Sequence, residues 1–447
     1  MPKADEEPIR MSDTLVINPA SSGVCGEITL PGDKSISHRA VMFAAIARGQ
    51  SHIHNFSGGG DNRSTIRAFQ TLGVEITQTG TEVLVTGRGW DGLHAPDDTI
   101  DCGNSGTTMR LLSGLLAGRP FVSRLDGDAS LRGRPMGRVM TPLRAMGADI
   151  VSEGGEENHA PLRINGRSLQ GIFYQSPVAS AQVKSAILLA GLQGRGVTCV
   201  QEPVRSRDHT ERMLPAFGGS LQVNGTEVTL AGGQELHACD VDVPGDLSSA
   251  AFFIGAALVV PGSELYVRGI GLNPTRTGVI EIFQAMGGSI TMVNRHEACG
   301  EPVGDLLVRP SPLRGIAIDG ELIVRAIDEV PIIAVVATFA RGTTIIRGAQ
   351  ELRVKESDRL HALATTLLAL GARVSELPDG LVIEGGAGVH GGRVQSFGDH
   401  RIAMALTVAG LAATDKIVLE GIECVDISFP GFYGLVRDLT NTTHPDS

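Results

Sequence analysis

The sequence predicts an α/β protein of two domains, each assembled from three copies of one small repeat. Three observations lead there. At 447 residues the chain exceeds what one ordinary hydrophobic core organises. A short pattern recurs along it: Thr71-Leu-Gly-Val-Glu-Ile76, Ala145-Met-Gly-Ala-Asp-Ile150, Ala216-Phe-Gly-Gly-Ser-Leu221, Ala285-Met-Gly-Gly-Ser-Ile290 and Ala369-Leu-Gly-Ala-Arg-Val374. Each reads as a helix end, a glycine stop and an alternating strand. The glycines stand at 73, 147, 218, 287 and 371, so the gaps are 74, 71, 69 and 84 residues. A last helix, Tyr433 to Leu439, falls where a sixth copy would end. The repeat is a strand–helix–strand–helix unit with extra strands, of roughly 70 residues. Third, Pro31-Gly-Asp-Lys-Ser35 is echoed about halfway along by Pro244-Gly-Asp-Leu-Ser248. Pro-Gly-Asp is a common turn, but both copies follow a strand-like stretch and open an Ala-rich helix. The echo marks where the path crosses between domains. One domain is expected to hold 14–32 plus 246–447, the other 33–245, with 1–13 a disordered tail.

The first motif sets the pattern for the rest. Gly26 to Leu30 reads as a strand ended by Pro31 and Gly32. Asp33 or Ser35 can cap the helix whose apolar body begins at Val41. Lys34, Ser35 and Arg39 then sit in its first turns, where free N–H groups and the positive dipole end favour an anion. It is not a Walker A loop, because Asp33 separates Gly32 from Lys34 and the spaced upstream glycine is missing.

The same layout returns down the chain. Asp101 to Gly106 is a Gly-rich turn before a helix from Thr107, with Asn104 and Ser105 as caps. Gly127 to Met136 places Arg132 and Arg134 in a loop before a helix. Ser176 to Lys184 opens the apolar helix Ser185–Leu192. Arg205 to Thr210 and Asn273 to Thr277 each precede a helix, followed by Asp328-Glu-Val-Pro331, Arg353 to Arg359 and Gly398-Asp-His-Arg401. A single arginine of this kind is usually a solvated charge. The set implies helix N-termini gathered on a polyanionic ligand, with Arg forks for phosphate or carboxylate. Glu356 and Arg359 are three apart and Lys355 and Arg359 four apart, which places them on one side of a helix turn. Either Glu356 is a local salt bridge or it is a proton carrier beside a bound anion.

Composition narrows the function. The chain is 42% hydrophobic and 19% charged with a net charge of −11, and aromatics are 4%. That excludes a general nucleic-acid binder, so any cationic site is local. Cys25, Cys102, Cys199, Cys239, Cys299 and Cys424 are scattered, without CxxC pairs or a His cluster near them, which argues for reduced thiols and against zinc or a disulfide framework. The longest apolar run, Ala250–Val260, is too short to span a bilayer. The acidic N-terminus is not a signal peptide, and Met11 is an alternative start. A cytoplasmic protein is expected.

These motifs, in this order, resemble the 5-enolpyruvylshikimate-3-phosphate synthase family from about Gly26 to Phe432. The stretches are PGDKSISHR, CGNSGTTMR, GDASLRGRPMGR, ASAQVKSAILLAGL, RDHTERM, NPTRTG, DEVP, ELRVKESDR and GDHRIAMA. Ser180-Ala181-Gln182 and Arg207-Asp208-His209 are similar to the class II branch, many of whose members tolerate the herbicide glyphosate. The resemblance implies an inside-out α/β barrel of two domains, each with three βαβαββ units. It implies transfer of the enolpyruvyl group of phosphoenolpyruvate to the 5-hydroxyl of shikimate 3-phosphate by addition and elimination of phosphate. No metal or organic cofactor is implied, and relatives are commonly monomers.

By motif, Lys34, Ser35, Arg39, Ser180, Gln182, Arg207, Asp328 and Lys355 are expected to hold shikimate 3-phosphate. Lys34, Gly106, Arg134, Gln182, Glu356, Arg359 and Arg401 are expected around phosphoenolpyruvate or glyphosate. Lys34, Asp328 and Glu356 are the proton-transfer candidates, Asp328 near the 5-hydroxyl and Glu356 near C3. The chain departs from some relatives at Ile427, where they carry a Lys, and at Leu111, where glyphosate-sensitive relatives often carry Pro. It has Gly106 where strongly tolerant relatives have Ala. The rival readings are the UDP-sugar enolpyruvyl transferase of the same fold, a non-catalytic anion-binding homologue, and a module of a larger shikimate-pathway polypeptide.

Overall fold

The computed structural model describes residues 14–440. The tail expected over 1–13 lies outside the described residues. Strands form six small sheets, and most share one strand order. In one, Ile100–Asp101 runs parallel to Val122–Asp126, which runs antiparallel to Leu162–Asn165, itself paired with Asp149–Ser152. The order is first, second, fourth, third. The parallel step needs a crossover helix and the last step closes as a hairpin. The sheet begun by Phe173–Gln175 and the sheet begun by Ala317–Ile318 repeat it.

Three sheets borrow a strand from elsewhere in the chain. Cys25–Thr29 supplies the first strand beside Glu264–Gly271. Leu236–His237 and Val241–Asp242 run parallel to Ala47–His54. Thr14–Ile17 pairs antiparallel with Ile417–Glu420, taking the place of a hairpin in the sixth unit, which ends in the helix Phe432–Thr440. The five repeat glycines all have left-handed φ, +88°, +97°, +79°, +101° and +80° in order. A Cβ is strained there, which is why glycine recurs. Gly218 differs in context: it follows a five-residue helix and a 3₁₀ turn.

The buried apolar side chains fall into two clusters. One draws on residues 36–243 and the other on 17–30 and 247–439. Inside the first lie the helices Lys34–Ile46, Gly106–Leu116 and Ala181–Gln193. Inside the second lie Leu247–Val259, Val330–Phe339 and His400–Leu411. These six are apolar on nearly every side because they are surrounded by other elements, while the sheets around them keep one exposed face. A helix buried on all sides presents its chemistry only at its ends.

The two clusters are joined at the Pro-Gly-Asp echo. Gly32 and Gly245 form an antiparallel bridge. The Asp33 N–H donates to the Pro244 carbonyl at 2.7 Å and the Asp246 N–H to the Pro31 carbonyl at 3.1 Å. Each aspartate then caps its helix, Asp33 accepting from the Ile36 N–H and Asp246 from the Ser248 N–H. Among the described residues no helix is long and apolar enough to cross a membrane.

Candidate active site

The starts of the central helices carry the polar groups. Ser105 caps Gly106–Leu116, Ser180 caps Ala181–Gln193 and Asp399 caps His400–Leu411. Val330–Phe339 instead carries Pro331 in its first turn, and a 3₁₀ turn ahead of it holds Asp328. Side chains link one start to the next. Gln182 accepts from Arg110 Nη1 at 2.6 Å and donates to Thr107 Oγ1 at 2.9 Å. Arg401 Nη1 donates to the Asp328 carbonyl at 3.0 Å.

Charges from both clusters meet across the cleft. Arg207 donates to Asp328 at 2.5 Å, Arg138 to Glu351 at 2.8 Å, and Arg134 lies 4.0 Å from Glu356. A cavity of about 190 Å³ opens between them. Asp61, Asn104 and Ser130 line one side, and Glu356, His400 and Ile427 the other. Lys34 leads its helix and is ion-paired with Asp61. Arg359, 1% exposed, donates to Glu356 at 2.6 Å and to Asp399 at 2.7 Å and reaches Asp328 at 3.5 Å.

The electrostatics follow. Burial alone would raise Asp328, but Arg207, Arg401, Lys355 and Arg359 outweigh it and hold the carboxyl well below its usual range. Glu356 is buried too, and Arg359, His400, Arg134 and Lys34 hold it well below. Burial pushes His400 down to about 4, and its Nε2 has no protein partner. Packing likewise lowers Lys355, which sits 3.9 Å from Glu351.

Of the expected residues, Glu356 lines the cavity, Lys34, Arg134 and Arg359 contact residues that line it, and Asp328 joins Arg207, Arg359 and Arg401. Residues 355–357 are not helical. The helix starts at Arg359 because Asp358 caps it, accepting from the His361 N–H, so Glu356 reaches Arg359 from the preceding loop. The capping aspartate, not the i,i+3 spacing, sets that geometry. Of the two arginines in 127–136, Arg132 turns outward to Asp126, whereas Arg134 is held by Asn104 and Ser130. Arg39 is buried, and its guanidinium donates to Thr210, Ser35 and Ser185. Ser35 is thereby engaged through its carbonyl. Gly106 opens its helix, with Arg110 and Arg134 the nearest groups to a Cβ built there.

The model of the EPSP synthase (3-phosphoshikimate 1-carboxyvinyltransferase) family matches residues 19–435. The chain belongs to the EPSP synthase family. It is 54% identical over 425 residues to the 3-phosphoshikimate 1-carboxyvinyltransferase of Geobacter metallireducens, covering 95% of this chain and 98% of that protein. The corresponding protein of Desulfitobacterium hafniense is 52% identical over 96% of this chain and 99% of its own length. Among solved structures, EPSP synthase from Acinetobacter baumannii superposes with a TM-score of 0.86 at 44% identity, covering 95% and 98% of the two chains. The enolpyruvyl transferase NikO from Streptomyces tendae, 18% identical with a TM-score of 0.78 over 96% and 98%, shares the fold.

For an EPSP synthase, sequence reasoning passed over two side chains at this cavity, Asp61 and His400, and a third, Arg110, that holds Gln182. Asp61 follows Gly58-Gly-Gly60 and was legible as an acid at a Gly-rich helix start. His400 stands inside the quoted GDHR stretch. Arg110 ends CGNSGTTMR, yet its hold on Gln182 depends on the packing of two helices distant in sequence.

Proposed function

We propose how the residues of this cleft divide the family's reaction. The activity is that of a 3-phosphoshikimate 1-carboxyvinyltransferase in the shikimate pathway, which leads to the aromatic amino acids. The acceptor hydroxyl of shikimate 3-phosphate attacks C2 of phosphoenolpyruvate while C3 gains a proton. The adduct then loses phosphate and the C3 proton, leaving an enol ether.

The observation that carries the assignment is the meeting of Asp328 and Glu356 with five cations drawn from both core clusters. Ser35, Arg39, Ser180, Gln182, Arg207 and Lys355 hold shikimate 3-phosphate, with Asp328 accepting the hydroxyl proton. Lys34, Gly106, Arg134, Gln182, Arg359 and Arg401 surround phosphoenolpyruvate. Glu356 serves C3. Its pKa is low because Arg359 and Arg134 face it; an anionic substrate that engages those guanidiniums raises it toward a value at which it carries a proton.

The two core clusters support a two-domain division, 14–32 with 246–440 and 33–245, whose closure brings the cations and acids together and excludes water. Ser180-Ala181-Gln182, Arg207 and the apolar Ile427 at the cavity favour a class II enzyme, and Gly106 in place of Ala favours intermediate glyphosate tolerance. Calorimetry with shikimate 3-phosphate tests the assignment: Arg207→Met should weaken binding at least tenfold, and Arg134→Met should leave it within threefold while raising the KM for phosphoenolpyruvate. Equal effects of both on both substrates would overturn the division.

A further inference from the structure

A buried ion triad lies behind the acceptor residues and outside the cavity. Lys184, one turn into the helix capped by Ser180, contacts Glu202 and Glu211 at 2.8 Å each. Lys184 and Glu202 are 1% exposed and Glu211 4%. Such a group is a poor device for stability, because desolvation offsets most of the attraction and an apolar trio of the same volume does as well. Its contacts point to another purpose. One carboxylate oxygen of Glu202 accepts the Ser180 N–H at 2.9 Å. The other accepts the Ser206 N–H at 3.2 Å and the Ser206 hydroxyl at 2.8 Å. Ser206 immediately precedes Arg207, whose guanidinium reaches across to Asp328.

We infer that Glu202, neutralised by Lys184, is the positioning residue of the acceptor site: it fixes the Ser180 turn and the 205–207 loop in one relative placement. This rests on the assignment of Ser180 and Arg207 to shikimate 3-phosphate given above. The two groups that Glu202 holds, Ser180 and the loop carrying Arg207, are both assigned to the acceptor alone. Loss of its carboxylate therefore loosens two acceptor contacts together, while Lys34, Arg134, Arg359 and Arg401 around phosphoenolpyruvate have no contact with it. A Gln side chain keeps the shape but replaces one acceptor oxygen with an NH2 donor, so either the Ser180 N–H or the Ser206 and Lys184 donors lose their acceptor.

Steady-state kinetics test this with each substrate varied in turn. Glu202→Gln is expected to raise the KM for shikimate 3-phosphate tenfold or more, with the KM for phosphoenolpyruvate within twofold. Ser206→Ala, which removes one hydroxyl contact and keeps the fold if Glu202→Gln does not, is expected to raise only the acceptor KM, by two- to fivefold. A merely structural role would lower the Tm and scale both substrates alike, and that result overturns the inference. Ser180→Ala is the control. If it leaves the acceptor KM unchanged, the underlying assignment fails. If it raises that KM while Glu202→Gln and Ser206→Ala do not, the assignment stands and the positioning role fails.

Discussion

Asp33 and Asp246, 213 positions apart in sequence, are clasped by a single guanidinium. Arg276 donates through Nη1 to Asp33 at 2.9 Å and through Nη2 to Asp246 at 3.2 Å. The two aspartates cap the helices that leave the two strands of the crossing, so Arg276 pins both helix starts at the junction of the two cores. From Arg276 the contacts run on through Ser248 at 2.6 Å and Glu329, beside Asp328. The junction is thus tied to the cleft by hydrogen bonds.

Removing that guanidinium leaves two carboxylates buried without their cation. Arg276→Met should cost about 3–5 kcal/mol of stability, as for other broken buried pairs. Urea unfolding measures it, and a loss below about 1 kcal/mol would show that water or other donors replace the clasp.

The clasp also sets an acid limb. Burial would raise Asp33, but Arg276 and then His209 outweigh it and bring the group down to about 2 from an ordinary 3.8. A depressed carboxylate stabilises the fold above its unfolded pKa and loses that contribution as pH falls through the folded value. Stability contributed by Asp33 should therefore be lost between about pH 4 and pH 2. Asp246 is shifted the opposite way, upward, by burial and Asp33. Asp33→Asn, which keeps a competent cap, should flatten the stability profile over that interval. An unaltered acid limb in the variant would place the titration elsewhere.

Gly32 is required by close approach. A Cβ built there lies 1.8 Å from the Asn55 carbonyl oxygen, a backbone atom that cannot swing aside. Gly32→Ala should lower thermal stability by about 3 kcal/mol or more or prevent folding. A variant with the parent Tm would mean that the crossing shifts freely.

At Gly106 the neighbours are different. A Cβ there meets Arg110 Nη1 at 2.9 Å and Arg134 Nη1 at 3.6 Å, both ends of flexible side chains. Gly106→Ala should fold, displace Arg110 from Gln182 and narrow the anion site. The expected outcome is a several-fold higher KM for phosphoenolpyruvate together with a larger rise in the glyphosate inhibition constant. Unchanged inhibition would exclude the steric account.

How far these features could be read in advance depended on how local they were. The repeat glycines were legible because a left-handed residue ending a helix has few chemical solutions. A polar cap after Pro31-Gly32 was legible for a similar reason, since the candidates lie within a few residues, and the structure takes Asp33 of the two, Asp33 and Ser35. The stretch before Arg359 reads as a helical turn from the three- and four-residue spacings of Glu356 and Lys355 to Arg359, but those spacings carry no boundary, and the Asp358 cap starts the helix only at Arg359. Arg276 and Glu202 stayed hidden. The arginine of NPTRTG reads as one more cation at a helix start facing an anionic ligand, but it is buried against Asp33 and Asp246, and a lone glutamate before a proline looks like a surface charge until the topology buries it against Lys184.

The most direct test of the central claim is phosphate release from phosphoenolpyruvate by the purified protein, measured with shikimate 3-phosphate and with UDP-N-acetylglucosamine as acceptor. Release with shikimate 3-phosphate alone is the predicted result, and Glu356→Gln should reduce it about 10²–10⁴-fold. Release with the UDP-sugar, or none with either acceptor from folded protein that binds shikimate 3-phosphate, would contradict the account.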